Sequence, residues 1–115
     1  MNKIDGLRLK GFWEWCGFRY RLSASENPHY WQQPNGDSCS RLPKLTLDNI
    51  FAWAVPKLLA EFPNIHGLEV WYVHGKWNWA ASPALGQSAF HVQAEHEDDA
   101  TALALVIEKF ILVRF

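Results

Sequence analysis

The chain has no apolar run near the roughly 20 residues that a membrane-spanning helix requires, so no span is expected in its 115 residues. It has only two cysteines, Cys16 and Cys39, and these are expected as free thiols in a reducing cytosol rather than as a disulfide staple. The N-terminus lacks the charged-then-apolar pattern of a secretory signal, so the expected setting is cytoplasmic. No G-x-S-x-G, H-E-x-x-H, phosphate loop or dinucleotide fingerprint occurs, and neither do repeats, low-complexity tracts or a long linker. One domain with no enzymatic activity is the expectation.

Metal and cofactor chemistry is not expected either. His66, His74, His91 and His96 fall in a loop, a turn and on opposite faces of one strand, and Cys16, His29 and Cys39 lack metal-ligand spacing. Ser88, His91 and Glu95 are residue types of a hydrolytic triad, but an alternating strand gives them no activated turn or oxyanion hole, and they read as surface.

What is present is apolar and aromatic. Hydrophobic residues make up 49% of the chain and tryptophan occurs seven times, enough material for one core. The net charge of −1 conceals an asymmetry. Residues 1–44 carry seven basic and four acidic side chains, residues 45–115 four basic and eight acidic. In the first part Arg8, Lys10, Arg19, Arg21, Arg41 and Lys44 are interleaved with Phe12, Trp13, Trp15, Tyr20, Tyr30 and Trp31, a composition suited to a polyanion or to stacked bases. A solvated sheet face carrying the same charges is the plainer reading.

Periodicity sets out the elements. Residues 1–11 fit neither helix nor strand, with Gly6 and Gly11 weakening a helix. Phe18, Tyr20 and Leu22 alternate with Arg19, Arg21 and Ser23 as a half-buried strand with the arginines outward. Tyr30–Gln33 is a second strand ending at the turn Pro34-Asn35-Gly36-Asp37. Leu45–Phe62 reads as a helix with Thr46 as N-cap, Asp48 in the first turn, and Leu47, Ile50, Phe51, Ala54, Leu58 and Phe62 as its apolar stripe. Pro56 should kink it or end it near Val55.

Next comes a hairpin through the two-residue turn His74-Gly75, pairing Val73 with Lys76, Tyr72 with Trp77 and Val70 with Trp79. In that register Leu68, Val70, Tyr72, Trp77, Trp79 and Ala81 face the core, while Glu69, Trp71, Val73, Lys76 and Asn78 face outward. A third strand, Ala89–His96, adds Phe90, Val92 and Ala94 to the core face and His91, Gln93 and Glu95 to the outer one. Glu97, Asp98 and Asp99 then open a final helix with Ala100, Leu103, Ala104, Ile107, Phe110 and Ile111 as its main stripe. Leu105, Val106 and Leu112 lie off that stripe, so this helix is either wedged between sheet and first helix or turned toward another chain.

The architecture these readings give is α+β: an N-terminal β-hairpin followed by α-β-β-β-α, with both helices on one face of an antiparallel sheet. From Leu45 onward this is also the order of a double-stranded RNA binding domain. Where such domains carry a lysine cluster, however, this chain has Glu97-Asp98-Asp99, which repels phosphate. The sequence more closely resembles small phage and prophage proteins related to the phage αβα sandwich domain. Trp31 followed by Pro34-Asn35-Gly36, Leu42-Pro43 with Leu45-Thr46-Leu47-Asp48, the run Ala54–Leu58, and Ala102–Leu105 with Ile107-Glu108-Lys109 carry that resemblance. It implies a fold and a phage setting, and no site residue.

The function expected is a non-catalytic binding module acting on a host protein or a small ligand; the alternative is nucleic-acid binding through the basic, aromatic hairpin. Candidate binding residues are Arg19, Arg21, Trp31, Trp71 and His91. Trp71, alone among the tryptophans on the outer sheet face, is expected to be covered by the N-terminal hairpin or else presented to a ligand. Leu105, Leu112 and Phe115 on the second face of the last helix are the expected interface of a homodimer.

Overall fold

A computed structural model describes residues 6–21, 30–63, 65–83 and 92–113. The chain is α+β and forms two compact units that divide between Lys44 and Leu45, where the charge balance also changes sign.

The N-terminal unit opens with a helix, α1 (Gly6–Cys16), where the sequence pattern was ambiguous. Phe12, Trp13 and Cys16 are buried, a three- and four-residue spacing that makes one apolar face. Lys10 and Glu14 form an i,i+4 ion pair at 3.0 Å on the solvent side. The helix ends in a Schellman motif: Gly17 adopts φ +113°, its N–H donates to the Glu14 carbonyl, and the Phe18 N–H donates to the Trp13 carbonyl. The accompanying apolar contact of such a cap is the Trp13–Phe18 ring pair at 5.8 Å. Only glycine fits there easily, because a Cβ would also meet the Pro34 ring at 3.2 Å.

Three short antiparallel strands follow in the order β1 (Arg19–Arg21), β2 (Tyr30–Gln32), β3 (Ser38–Cys39). The β1–β2 hairpin sets Tyr20 opposite Trp31. The turn at Pro34-Asn35-Gly36-Asp37 is held by Gly36 N–H on the Gln33 carbonyl and Asp37 N–H on Asn35 Oδ1. Tyr20, expected to face inward, is exposed. With three residues, β1 has too little length to build a buried face, and Phe18, one residue earlier, is the side chain that enters the core. Leu22, Ser23 and His29 lie outside the described residues. Cys16 and Cys39 carry free thiols, the first buried and the second half-buried.

The second unit begins with a helical run whose start is capped as expected: Thr46 Oγ1 accepts from the Asn49 N–H at 3.2 Å. The run comprises α2 (Leu47–Asn49), a π-helical segment (Ile50–Ala54) and α3 (Val55–Glu61). Near Pro56 the run does not end, but it changes from π-helix to α-helix at Val55. The Val55 N–H reaches back five residues to the Ile50 carbonyl, and this wide turn leaves Pro56 in the first turn of α3, where its missing N–H costs little. Ile50, Ala54, Val55 and Leu58 are buried, whereas Phe51, expected on the stripe, is exposed with its ring 6.0 Å from that of Trp79.

The sheet of this unit is a meander in the order β4 (Ile65–Val73), β5 (Lys76–Pro83), β6 (Val92–His96). Its hairpin register is the expected one, with Val73 opposite Lys76, Tyr72 opposite Trp77 and Val70 opposite Trp79. His74 and Gly75 sit at φ 54° and 78°, the pair of positive values that a type I′ turn needs. Residues 89–91, expected to begin β6, lie outside the described residues.

The last helix, α4 (Asp99–Val113), packs across β5 and β6. Asp98 caps it: Oδ2 accepts from the Thr101 N–H at 2.9 Å and from the Thr101 hydroxyl at 2.7 Å. Five consecutive residues, Ala100–Ala104, are buried. The helix is therefore enclosed over its first turns, with the sheet on one side, the helical run also packed against it, and the Phe62 ring 5.0 Å from that of Phe110. Val106, read as off the stripe, is buried as well, and Leu105 is half-buried.

The core face is the expected one at Trp79, Ala81, Val92 and Ala94. Two of its expected members are not covered: Val70 and Tyr72 point to that face but are exposed, because α4 lies over β5 and β6 while β4 is the edge strand. On the outer face Asn78 and Ala80 are buried. These are short side chains on the central strand, between Glu69 and Trp71 on β4 and Gln93 and Glu95 on β6.

Candidate functional site

The surface that stands out is built by β4. This strand has nine residues, only one of them charged, and among the described residues β5 is its only strand partner. Val70, Trp71, Tyr72 and Val73 are exposed by 46%, 38%, 58% and 44%. Because side chains alternate along a strand, these four cover both faces of the edge. Tyr72 stacks against the half-buried Trp77 at 4.9 Å, which fixes its ring on the inner side. Trp71 lies on the other face of the strand and is exposed.

The turn decides which backbone groups the edge offers. Residues flanking a two-residue I′ turn exchange both of their hydrogen bonds, so Val73, Trp71 and Glu69 direct their N–H and C=O groups toward β5. By alternation, those of Leu68, Val70 and Tyr72 point away from the sheet. The opposite edge is different: β6 is five residues long, carries Gln93 and Glu95 outward, and has the Gln93 carbonyl taken by the Lys109 ammonium. A lysine on an edge strand is a common way to block pairing; β4 has none.

The N-terminal unit presents a second surface. Tyr20 and Trp31 form a tilted pair at 5.1 Å, with the Lys10 ammonium 6.0 Å from the Trp31 ring centroid. Arg21 Nε donates to Gln32 Oε1. Arg19 is committed to a local task, its guanidinium donating to the Glu14 and Phe18 carbonyls at 2.9 and 3.0 Å, where a cation also complements the C-terminus of α1. The structure thus assembles Arg21, Trp31 and Tyr20 on one hairpin, gives Arg19 to helix capping, and sets Trp71 in the other unit. His91 lies outside the described residues.

A hollow of about 260 Å³ opens between the starts of α2 and α4, lined by Leu45–Asp48 and Asp98–Ala100. It is smaller than the roughly 300–1,000 Å³ of most ligand pockets. Three of its polar side chains are used at helix starts: Thr46 on Asn49, Asp98 on Thr101, and Asp99 Oδ1 on the Ala100 N–H. Among the described residues no group of three His, Cys, Asp or Glu side chains could hold a metal ion, and no helix is long and apolar enough to cross a membrane. Of the expected dimer residues, Leu112 is exposed and Leu105 half-buried, while Phe115 lies outside the described residues.

Val70 and Tyr72 were read as core residues and so missed as surface residues, whereas Val73 was read as facing outward, as it does. The signal was available in the connectivity, since a three-strand meander always leaves its first strand at an edge. Comparison with protein-family models, with curated proteins and with solved structures gave no match.

Proposed function

We propose that the chain is a non-catalytic protein-binding module whose binding surface is the open edge of β4. The observation that carries this reading is the exposed quartet Val70–Val73 on a strand whose alternate N–H and C=O groups are directed outward. An extended apolar segment would add as a further strand, with backbone bonds giving affinity and the alternating side chains giving selectivity. A small ligand is the less favoured occupant, because the hollow at the helix starts is small and has Thr46, Asp98 and Asp99 engaged at helix starts. The motif resemblance suggests a phage or prophage accessory role with a cytoplasmic host protein as partner. Titration with extended apolar peptides, followed by amide chemical shifts, tests the reading: shifts should centre on Leu68, Val70 and Tyr72. Shifts confined to the N-terminal unit, or none with any peptide, would count against it.

Nucleic-acid binding is the second reading, and the exposed Tyr20 beside Trp31, flanked by Lys10 and Arg21, is the observation favouring it. Base stacking on such a pair is worth about 1–3 kcal/mol per base. Retention on single-stranded DNA that falls steeply with salt and is lost in Tyr20→Ala would support this reading over the first.

A further inference from the structure

We propose that β4 pairs edge to edge with β4 of a second copy of the chain, antiparallel about a two-fold axis at Trp71. Two three-stranded sheets would then become one continuous sheet. The proposal rests on the reading of β4 as a binding edge and names its occupant.

The register follows from charge. With Trp71 on the axis, Val70 lies opposite the partner's Tyr72, and these residues carry the outward N–H and C=O groups, so each such pair exchanges two backbone bonds. Trp71 meets its symmetry mate as a non-hydrogen-bonded pair, where side chains approach most closely. Glu69 lies opposite the partner's Val73, whose own neighbour on the same sheet face is Lys76.

Glu69 and the partner's Lys76 are then two strand spacings apart, about 10 Å between backbones. Both side chains are long enough to meet over the valine between them. The axis makes this contact twice. Within one copy Glu69 is paired with Ala80 and Lys76 with Val73, so they lie four residues apart along the hairpin. Among the described residues neither side chain has an ion pair. Shifting the axis to Val70 would set Glu69 against the partner's Trp71 and Asn78, with no opposite charge in that row.

A second copy also satisfies what the edge lacks. Val70 and Tyr72 would extend one apolar face across the axis, and Trp71 and Val73 the other. Assembly stops at two, because the edges that remain are the two β6 strands, which carry Glu95 and the Lys109 contact to Gln93. Closed two-fold pairing leaves no open template for fibres.

Light scattering over a micromolar-to-millimolar concentration series tests the proposal. The mass should rise from the monomer's 13.3 kDa to twice that value. Val70→Pro removes an N–H directed at the partner and none directed at β5, so the protein should stay folded by circular dichroism and remain monomeric. Glu69→Lys and Lys76→Glu should each weaken the dimer roughly tenfold, by turning two attractions into repulsions, and the double swap should restore it. These charge variants also carry the test should Val70→Pro unfold the hairpin. Leu112→Glu should leave the dimer intact. A dimer lost in Leu112→Glu but kept in Val70→Pro, or a double swap that fails to restore pairing, overturns the proposal. A protein monomeric throughout overturns it too; binding of a synthetic peptide of residues 67–73 by that monomer would leave the edge reading standing, and its absence would remove both.

Discussion

Replacing Asp98 by alanine should destabilise the second unit by more than an ordinary surface change, and the structure gives the reason atom by atom. One carboxylate oxygen, Oδ2, accepts both the Thr101 N–H at 2.9 Å and the Thr101 hydroxyl at 2.7 Å. Losing an N-cap acceptor costs about 1 kcal/mol. Thr101 is only 1% exposed, so its hydroxyl loses its partner where water cannot readily replace it, which adds roughly 1–2 kcal/mol. Their sum is about 2–3 kcal/mol, and with an m-value on the order of 2 kcal/mol/M the urea midpoint should fall by about 1–1.5 M. Equilibrium urea unfolding followed by circular dichroism measures this. Asp98→Asn, which keeps an acceptor oxygen, should recover much of the loss, and in a Thr101→Val background Asp98→Ala should cost only the backbone part. A midpoint within a few tenths molar of the parent for Asp98→Ala would refute the argument, as would equal losses with and without Thr101.

Three further substitutions probe other parts of the fold. Gly17→Ala should destabilise the N-terminal unit by about 1–2 kcal/mol from the backbone alone, with the new Cβ also pressed to 3.2 Å from Pro34; an unchanged fluorescence-monitored urea midpoint would contradict the Schellman cap. Pro56→Ala should change stability by less than about 1 kcal/mol, since proline is well tolerated in a first turn, whereas a gain near 3 kcal/mol would mean it strains a helix interior. Leu103→Asp puts an unpaired carboxylate at a fully buried position, costs several kcal/mol, and should abolish the folded circular dichroism spectrum; a native spectrum would refute the placement of α4.

The hairpin, its turn and the cap of the first long helix were legible because each is a local decision. His74-Gly75 admits the two positive φ values of a type I′ turn, and Thr46 three residues before Asn49 can do little else at a helix start. Helix α1 was obscured by Gly6 and Gly11, whose low propensity is outweighed by burial of Phe12, Trp13 and Cys16 and by the cap at Gly17. Exposure of Val70 and Tyr72 was hidden for another reason. Alternation reports which face a side chain points to, but cover depends on how far a helix reaches across the sheet. Helix α4 packs over β5 and β6, where Ala81, Ala94 and Ala104 are buried, and the pattern of β4 itself carries no trace of that choice. Pro56 marked the place where the run changes from π-helix to α-helix at Val55, and what the pattern did not show is that a one-residue widening of the preceding turn lets the helix continue past it.

Amide hydrogen exchange along β4, resolved residue by residue, tests the open edge most directly. In dilute solution Glu69, Trp71 and Val73, bonded to β5, should be protected, while Leu68, Val70 and Tyr72 should exchange near the rate of free chain. At high concentration Val70 and Tyr72, which bond across the axis, should become protected together, in parallel with the rise in mass. Uniform protection of all six residues at every dilution would mean that the edge is already occupied within a single chain, and uniform fast exchange would mean that β4 is not held by β5 at all; either result contradicts the account.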